Sequence, residues 1–257
     1  MDKQLQKELL SEFFGTFILI LFGDGVVAMV VLYGLGSFES INWCWGLAVV
    51  FGIYVSSKTS GAHLNPAVSV ALAIRKILPW KKVIPYSLSQ IFGAFVASAL
   101  LYYNYNEAFF HFEKNSGLVR GSIESIATAK VFATYPSKYV TNWGAFFDQI
   151  LGTALLIILI FAVTNPNNEK DEANRSPFII GLVVVAIGMA FGGNAGYAIN
   201  PARDFGPRLF SYFSGWGKIV FTASDYYFYV PIVAPIIGSV IGTYAYIFFV
   251  GRFLDKS

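Results

Sequence analysis

Long apolar runs dominate this chain, and a few polar stretches cut them. A membrane-spanning helix needs about 20 mainly apolar residues. By that measure the pattern predicts a first span over roughly Leu9–Tyr33 and a second over roughly Ile41–Val55. Ser56–Leu64 is then polar and contains glycine, and Pro66–Ile74 is apolar but only about half a span long. Beyond Arg75-Lys76 a third span is expected over roughly Val83–Tyr105. Asn106–Asn142 is too polar to cross hydrocarbon and reads as a long loop with some structure of its own.

The second half repeats this pattern. Spans are expected over roughly Gly144–Thr164, Phe178–Phe191 and Tyr229–Val250, with a half-length apolar segment at Pro201–Phe213. The loop Asn165–Ser176 carries Glu169, Lys170, Asp171, Glu172 and Arg175. Glu12-Phe13-Phe14-Gly15-Thr16 is answered by Gln149-Ile150-Leu151-Gly152-Thr153. Gly61-Ala62-His63-Leu64-Asn65-Pro66-Ala67 is answered 135 positions later by Gly196-Tyr197-Ala198-Ile199-Asn200-Pro201-Ala202. Each half, approximately 9–105 and 144–250, is thus helix, helix, half-helix, helix within one channel domain, 1–257. Three crossings per half put the halves in opposite orientations, an inverted repeat. The expected fold is an all-α membrane protein of six transmembrane helices and two re-entrant half-helices.

Lys3, Lys7, Arg75, Lys76, Lys81, Lys82, Lys170, Arg175, Arg252 and Lys256 fall on one side of this topology. The positive-inside rule puts that side, with both termini, in the cytoplasm. The apolar run after the polar N-terminus is longer than a signal-peptide core, so it reads as a retained span.

Composition agrees. Only 13% of the 257 residues are charged and 56% are hydrophobic. A soluble domain carries about 25% charge, so the partner of this surface is the lipid bilayer. A net charge of +3, with no basic run interleaved with aromatics, gives no reason to expect nucleic acid. The single cysteine, Cys44, excludes an internal disulfide, and His63 and His111 are the only histidines. No metal or cofactor site is expected, and no nucleophile–base set or phosphate loop suggests an enzyme.

The twin stretch carries the candidate chemistry. Asn is a good helix N-cap, and Pro suits the first helical position, so each copy reads as a loop becoming a helix at Pro. Irregular backbone at membrane depth is tolerated where it lines a watery cavity. Two helix N-termini facing each other at the midplane disfavour a cation. Asn65 and Asn200 can aim amide donors into the lumen. The carbonyls of Gly61, Ala62, His63 and Leu64, and of Asn194, Ala195, Gly196, Tyr197, Ala198 and Ile199, are expected to form acceptor ladders. Such a site suits water or a neutral hydroxylated solute.

The twin Asn-Pro-Ala, the Glu12-x-x-Gly15-Thr16 motif and Asn200-Pro201-Ala202-Arg203-Asp204-Phe205-Gly206-Pro207 resemble the aquaporin superfamily over nearly the whole chain. Asp204 after Arg203, Arg208, and Pro231-Ile232 at the last helix resemble its aquaglyceroporin branch, and bacterial glycerol facilitators within it. The resemblance implies a homotetramer with one pore per subunit and a narrow outer filter. By spacing, Arg203 matches the filter arginine and Trp45, twenty residues before Asn65, its tryptophan. Gly188 stands where water channels usually have His, and Tyr197 where glycerol facilitators usually have Phe. Gly188 is expected to free volume, Trp45 and Tyr197 to form an apolar corner, and Arg203 to donate to adjacent hydroxyls through its fork. The Tyr197 hydroxyl would either narrow the pore or point away from it.

The resemblance also implies structural support of the re-entrant loops by Glu12 and by its counterpart Gln149, a departure from the usual Glu that leaves a weaker anchor. Asp204 is read as a partner for loop groups rather than for solute. His63 is read as a neutral imidazole lining the pore. Asp24 is expected at the external vestibule or an interface rim. Tyr102–Tyr105 and Tyr226–Tyr229 are read as an interfacial belt, and Gly15, Gly93, Gly152 and Gly238 as close helix crossings. The expected function is passive conduction of glycerol and small uncharged solutes (urea, dihydroxyacetone and protonated lactic acid among the alternatives), with some water, across the plasma membrane. A water-selective channel is disfavoured by Gly188. A coupled transporter is disfavoured because none of Glu12, Asp24, Asp148 and Asp204 adjoins an Asn-Pro-Ala.

Overall fold

A computed structural model describes residues 2–167 and 174–254. Glu169, Lys170, Asp171, Glu172 and Lys256 lie outside the described residues. Six helices among the described residues are long and apolar enough to cross a membrane.

The helices follow in chain order. They are α1 Lys3–Tyr33, α2 Phe38–Ser60, the short α3 Pro66–Ile74 and α4 Trp80–Asn115. The turn α5 Ile126–Ala129 lies in the long loop after α4, the outer loop under the positive-inside reading. Then come α6 Asn142–Thr164, α7 Ser176–Ala195 and the short α8 Pro201–Ser211. The last span is broken into α9 Ile219–Tyr226, α10 Val230–Tyr246 and α11 Arg252–Leu254. Every expected element is present, but several ends move. Helix α2 begins earlier because Ser37 and Ser40 form a capping box, and it runs on to Ser60, where left-handed Gly61 stops it. Ser56 and Ser60, expected in the loop, are buried helical residues.

Helix α4 runs ten residues past the expected Tyr105 into the polar segment. Its extension is amphipathic rather than apolar. Phe109 is fully buried against Phe132 and Trp216. Glu113 pairs with Arg120 at 3.0 Å, and the Arg120 guanidinium lies 4.1 Å over Trp216. Burial works against the Arg120 charge, but bonds to Glu113 and Tyr102 prevail and raise its pKa. The outer loop is thereby a folded cap. Tyr227, expected in the interfacial belt, is fully buried and donates to the Ala195 carbonyl at 3.3 Å. Tyr103 and Tyr226 are exposed, as a belt requires.

The packing repeats between the halves. Helix α1 packs on α2 and α4, and α6 packs on α7 and α10. Each half-helix packs on the last span of the other half, α3 on α10 and α8 on α4. Helices α2 and α7 meet directly. At that crossing a Cβ on Gly46 would lie 2.7 Å from the Gly181 carbonyl oxygen, and a Cβ on Gly181 would lie 2.6 Å from that of Gly46. Gly93 lies against the Phe13 carbonyl and Gly238 against that of Ile150, equivalent contacts in the two halves. The inverted repeat brings both half-helices into the middle of the bundle.

Candidate functional site

The two re-entrant loops share one backbone design. Gly61, Ala62 and Leu64 have positive φ of 88°, 52° and 55°, and Gly196, Tyr197 and Ile199 have 71°, 34° and 42°. Each copy then passes through an extended Asn, with φ −157° at Asn65 and −153° at Asn200, into a helix with Pro in its first turn. Left-handed non-glycine residues cost of order 1–3 kcal/mol each and persist only where their surroundings hold them.

The surroundings are polar anchors. In the first loop the Glu12 carboxylate accepts from His63 N at 2.9 Å, Leu64 N at 2.8 Å, Ser60 Oγ at 2.6 Å and Gln90 Nε2 at 2.7 Å. In the second, Gln149 Oε1 accepts from Ile199 N at 2.9 Å, while its Nε2 donates to Asp148 at 3.2 Å. Asp148 in turn accepts from Asn194 Nδ2 at 2.9 Å. The acid missing from position 149 is thus supplied next door and reaches the other end of the loop. Gly15 and Gly152 serve both the loops and the helix crossings: Gly15 leaves room for Leu64 and for Ser56 of α2, and Gly152 for Ile199 and for Ile187 of α7.

The two asparagines clasp each other's loops. Asn65 Oδ1 caps Ala67 N and Asn200 Oδ1 caps Ala202 N and Arg203 N. Asn65 Nδ2 donates to the Ile199 carbonyl at 2.9 Å, and Asn200 Nδ2 donates to the Leu64 carbonyl at 2.8 Å. One N–H of each amide is therefore spent on the opposite loop, and one remains. This shortens the expected acceptor ladders. The carbonyls of Leu64 and Ile199 are occupied, Asn194 O accepts from Ser137 N, and Ala195 O accepts from Tyr227. Among the described residues no protein donor takes the carbonyls of Gly61, Ala62 and His63 or of Gly196, Tyr197 and Ala198.

A cavity of about 430 Å³ runs from Ile77, Thr164 and Asn174 past both asparagines to Trp45, Tyr197 and Arg203. His63 lines it, with Nδ1 3.0 Å from Ser69 Oγ and the ring 5.0 Å from Tyr86. At the outer end Arg203 Nη1 donates to the Phe132 carbonyl at 3.2 Å, and its Cζ sits 4.4 Å over the Trp45 ring. Among the described residues the Nε and Nη2 hydrogens of Arg203 have no protein acceptor, and Arg203 faces the cavity.

Tyr197 resolves one of the two open expectations. Its hydroxyl is fully buried without a hydrogen-bond partner, so it points away from the cavity and offers the cavity ring carbons. Gly188 does not line the cavity. A Cβ there would meet Asn42 Oδ1 and lie 2.7 Å from Tyr197 Cζ. The volume that Gly188 frees is occupied by the Tyr197 ring and the Asn42 amide.

The model of the family described as major intrinsic protein matches residues 1–246. The chain belongs to this family. It is 44% identical over 250 residues to Aquaglyceroporin-9 of Botryotinia fuckeliana, covering 96% of this chain and 54% of that relative. It is 42% identical over 254 residues to the glycerol uptake facilitator protein of Escherichia coli K12, covering 97% and 90%. The crystal structure of the aquaglyceroporin from Plasmodium falciparum superposes with a TM-score of 0.88 at 35% identity, over 98% of this chain and all of that one.

In this major intrinsic protein the outer loop also builds the site. Asp204 accepts from Thr134 N at 2.8 Å, Thr134 Oγ1 at 2.7 Å and Arg208 Nε at 2.7 Å. Arg208 completes the knot on the Thr134 and Val220 carbonyls. Asp204 is therefore spent on loop groups. That knot holds the segment carrying the Phe132 carbonyl against Arg203. No sequence signal marked Phe132, because it contributes a backbone atom. Asp24 was misplaced: it is fully buried, with Oδ1 3.9 Å from Arg203 Nη1, and lies neither in a vestibule nor at a rim. Its position between Gly23 and Gly25 offered a clue, since the Trp45 indole lies flat on Gly23.

Proposed function

We propose that this chain is a passive channel for glycerol and related small uncharged solutes, with some water, and that it excludes ions and protons. The observation that carries this is the outer end of the cavity. Arg203 keeps unspent fork donors there, beside the Trp45 ring on which it stacks and the ring carbons of Tyr197. A polyol has hydroxyls along one edge and carbons along the other, and it satisfies both walls at once. Trp45, Tyr197 and Arg203 form the filter in this reading, with Gly188 acting behind Tyr197.

Asn65 and Asn200 form the central constriction. Each keeps one N–H for a passing oxygen, while the free carbonyls of each loop accept the solute's hydrogens. An oxygen that accepts from both amides cannot relay a proton, and the facing helix N-termini repel a cation. The names of the glycerol uptake facilitator and aquaglyceroporin relatives support the choice of solute. We place the chain in the plasma membrane with both termini cytoplasmic, as a homotetramer with a pore in each subunit.

Purified protein in liposomes, shocked with a glycerol gradient, should re-swell the vesicles at a rate linear in glycerol concentration. Saturating flux, or flux that follows a proton or sodium gradient, would replace the channel by a coupled transporter.

A further inference from the structure

Asp24, Arg203, Asp204 and Arg208 are charged side chains buried around the filter. Two of them, Asp204 and Arg208, close on each other at 2.7 Å and use their other atoms on Thr134 and Val220. Arg203 and Asp24 remain. Asp24 is 0% exposed; the Ser98 hydroxyl is its neighbour but donates to the Ala94 carbonyl at 3.0 Å, and neither Asp24 oxygen has a well-formed hydrogen bond among the described residues. Burying an uncompensated carboxylate costs several kcal/mol. Its nearest opposite charge is Arg203 Nη1 at 3.9 Å, the same nitrogen that donates to the Phe132 carbonyl. Gly23 seats the Trp45 ring beside it, so the aspartate, the indole and the guanidinium share one level of the bundle.

We propose that Asp24 is the counter-ion of the filter arginine, making the outer constriction electrically neutral, and that it thereby sets the pore's indifference to small anions. This rests on the reading of the pore as the solute path. With Asp24 ionised, the two arginines and two aspartates sum to zero, so Arg203 offers hydrogen bonds to a hydroxyl without a net field that retains an anion. Asp24 never touches the solute. It is a positioning and charge-setting residue, and it acts through Arg203.

The test measures glycerol flux in proteoliposomes with rising sodium nitrate, and with sodium gluconate as a bulky anion of equal ionic strength. Wild type should conduct glycerol and ignore both salts. Asp24→Asn keeps the shape and leaves Arg203 unbalanced. Nitrate should then block its glycerol flux at concentrations about thirtyfold below any effect on wild type, as expected for a charge removed within about 8 Å at an effective dielectric near 20. Gluconate should not block. Arg203→Gln exposes the opposite imbalance and should make flux fall equally in both salts, with their shared sodium, rather than with nitrate alone. Asp24→Asn/Arg203→Gln should be indifferent to both, a mutual rescue that a merely structural role would not produce. Equal salt responses in wild type, Asp24→Asn and Arg203→Gln would overturn the counter-ion role while leaving wild-type glycerol flux, and so the channel reading, intact. If one single variant does not assemble, the other alone decides. A wild type without glycerol flux would instead refute the channel reading itself.

Discussion

Tyr197 and Gly188 act as one unit. The tyrosine ring lies where a side chain at 188 would otherwise stand, and its hydroxyl is buried beside the Asn42 amide without a bond. Two variants separate their roles. Tyr197→Phe removes a buried hydroxyl whose desolvation costs about 1–3 kcal/mol. Its melting temperature should hold or rise, and the ratio of glycerol to water flux should stay within about twofold, or ~0.4 kcal/mol of barrier. A fall in that ratio well beyond this would mean the hydroxyl contacts the solute. Gly188→Ala places a methyl against Asn42 and Tyr197 and pushes the ring toward the lumen. Overpacking of this kind costs about 1–3 kcal/mol, and glycerol flux should drop about tenfold while water flux drops much less. Stopped-flow swelling with both solutes checks this. Equal loss of both would separate Gly188 from the filter.

At the scale of elements, the anchors of the two half-helices differ. Glu12 takes four donors, two of them backbone N–H groups, while Gln149 takes one backbone N–H. Glu12→Gln would turn an amide NH2 toward donors and strand at least one of them, at about 1–3 kcal/mol. Thermal unfolding should fall accordingly, with glycerol and water flux lost together as Leu64 and Asn65 shift. Gln149→Glu should be tolerated better by its loop than Glu12→Gln is by its own. The half-helices themselves were legible, because Asn-Pro fixes a cap and a first turn locally. Both asparagines were marked by the repeat itself, while Trp45 and Arg203 were marked only through the family resemblance. The extension of α4 was not legible, because Phe109, Glu113 and Arg120 find partners only once the outer loop folds back. The same holds for the shortened ladders. Whether a carbonyl is free depends on donors such as Ser137 and Tyr227 from distant elements. The role of Asp24 lay in a contact 179 positions away along the chain.

The whole molecule is two copies of one half locked at a shared seam. The seam includes the crossing of α2 and α7, where Gly46 and Gly181 each lie on the other's carbonyl, and the clasp in which each asparagine holds the opposite loop. Both are reciprocal contacts, so a change to one partner displaces one half against the other. This gives a signature distinct from that of the filter. Gly46→Ala puts a methyl 2.7 Å from a backbone oxygen that has no side-chain freedom to yield. The helices must part by a few tenths of an ångström, and the loss is expected at about 1–3 kcal/mol of stability. Because the seam spaces both re-entrant loops at once, glycerol and water flux should fall in proportion, unlike the selective loss at Gly188→Ala. Gly181→Ala should match it, and the double variant should cost less than the sum of the two, since the first separation relieves the second clash. Melting curves of the four proteins, with both fluxes measured on each, test this. Additive losses would mean that the two glycines pack independently and that the seam does not move as a unit.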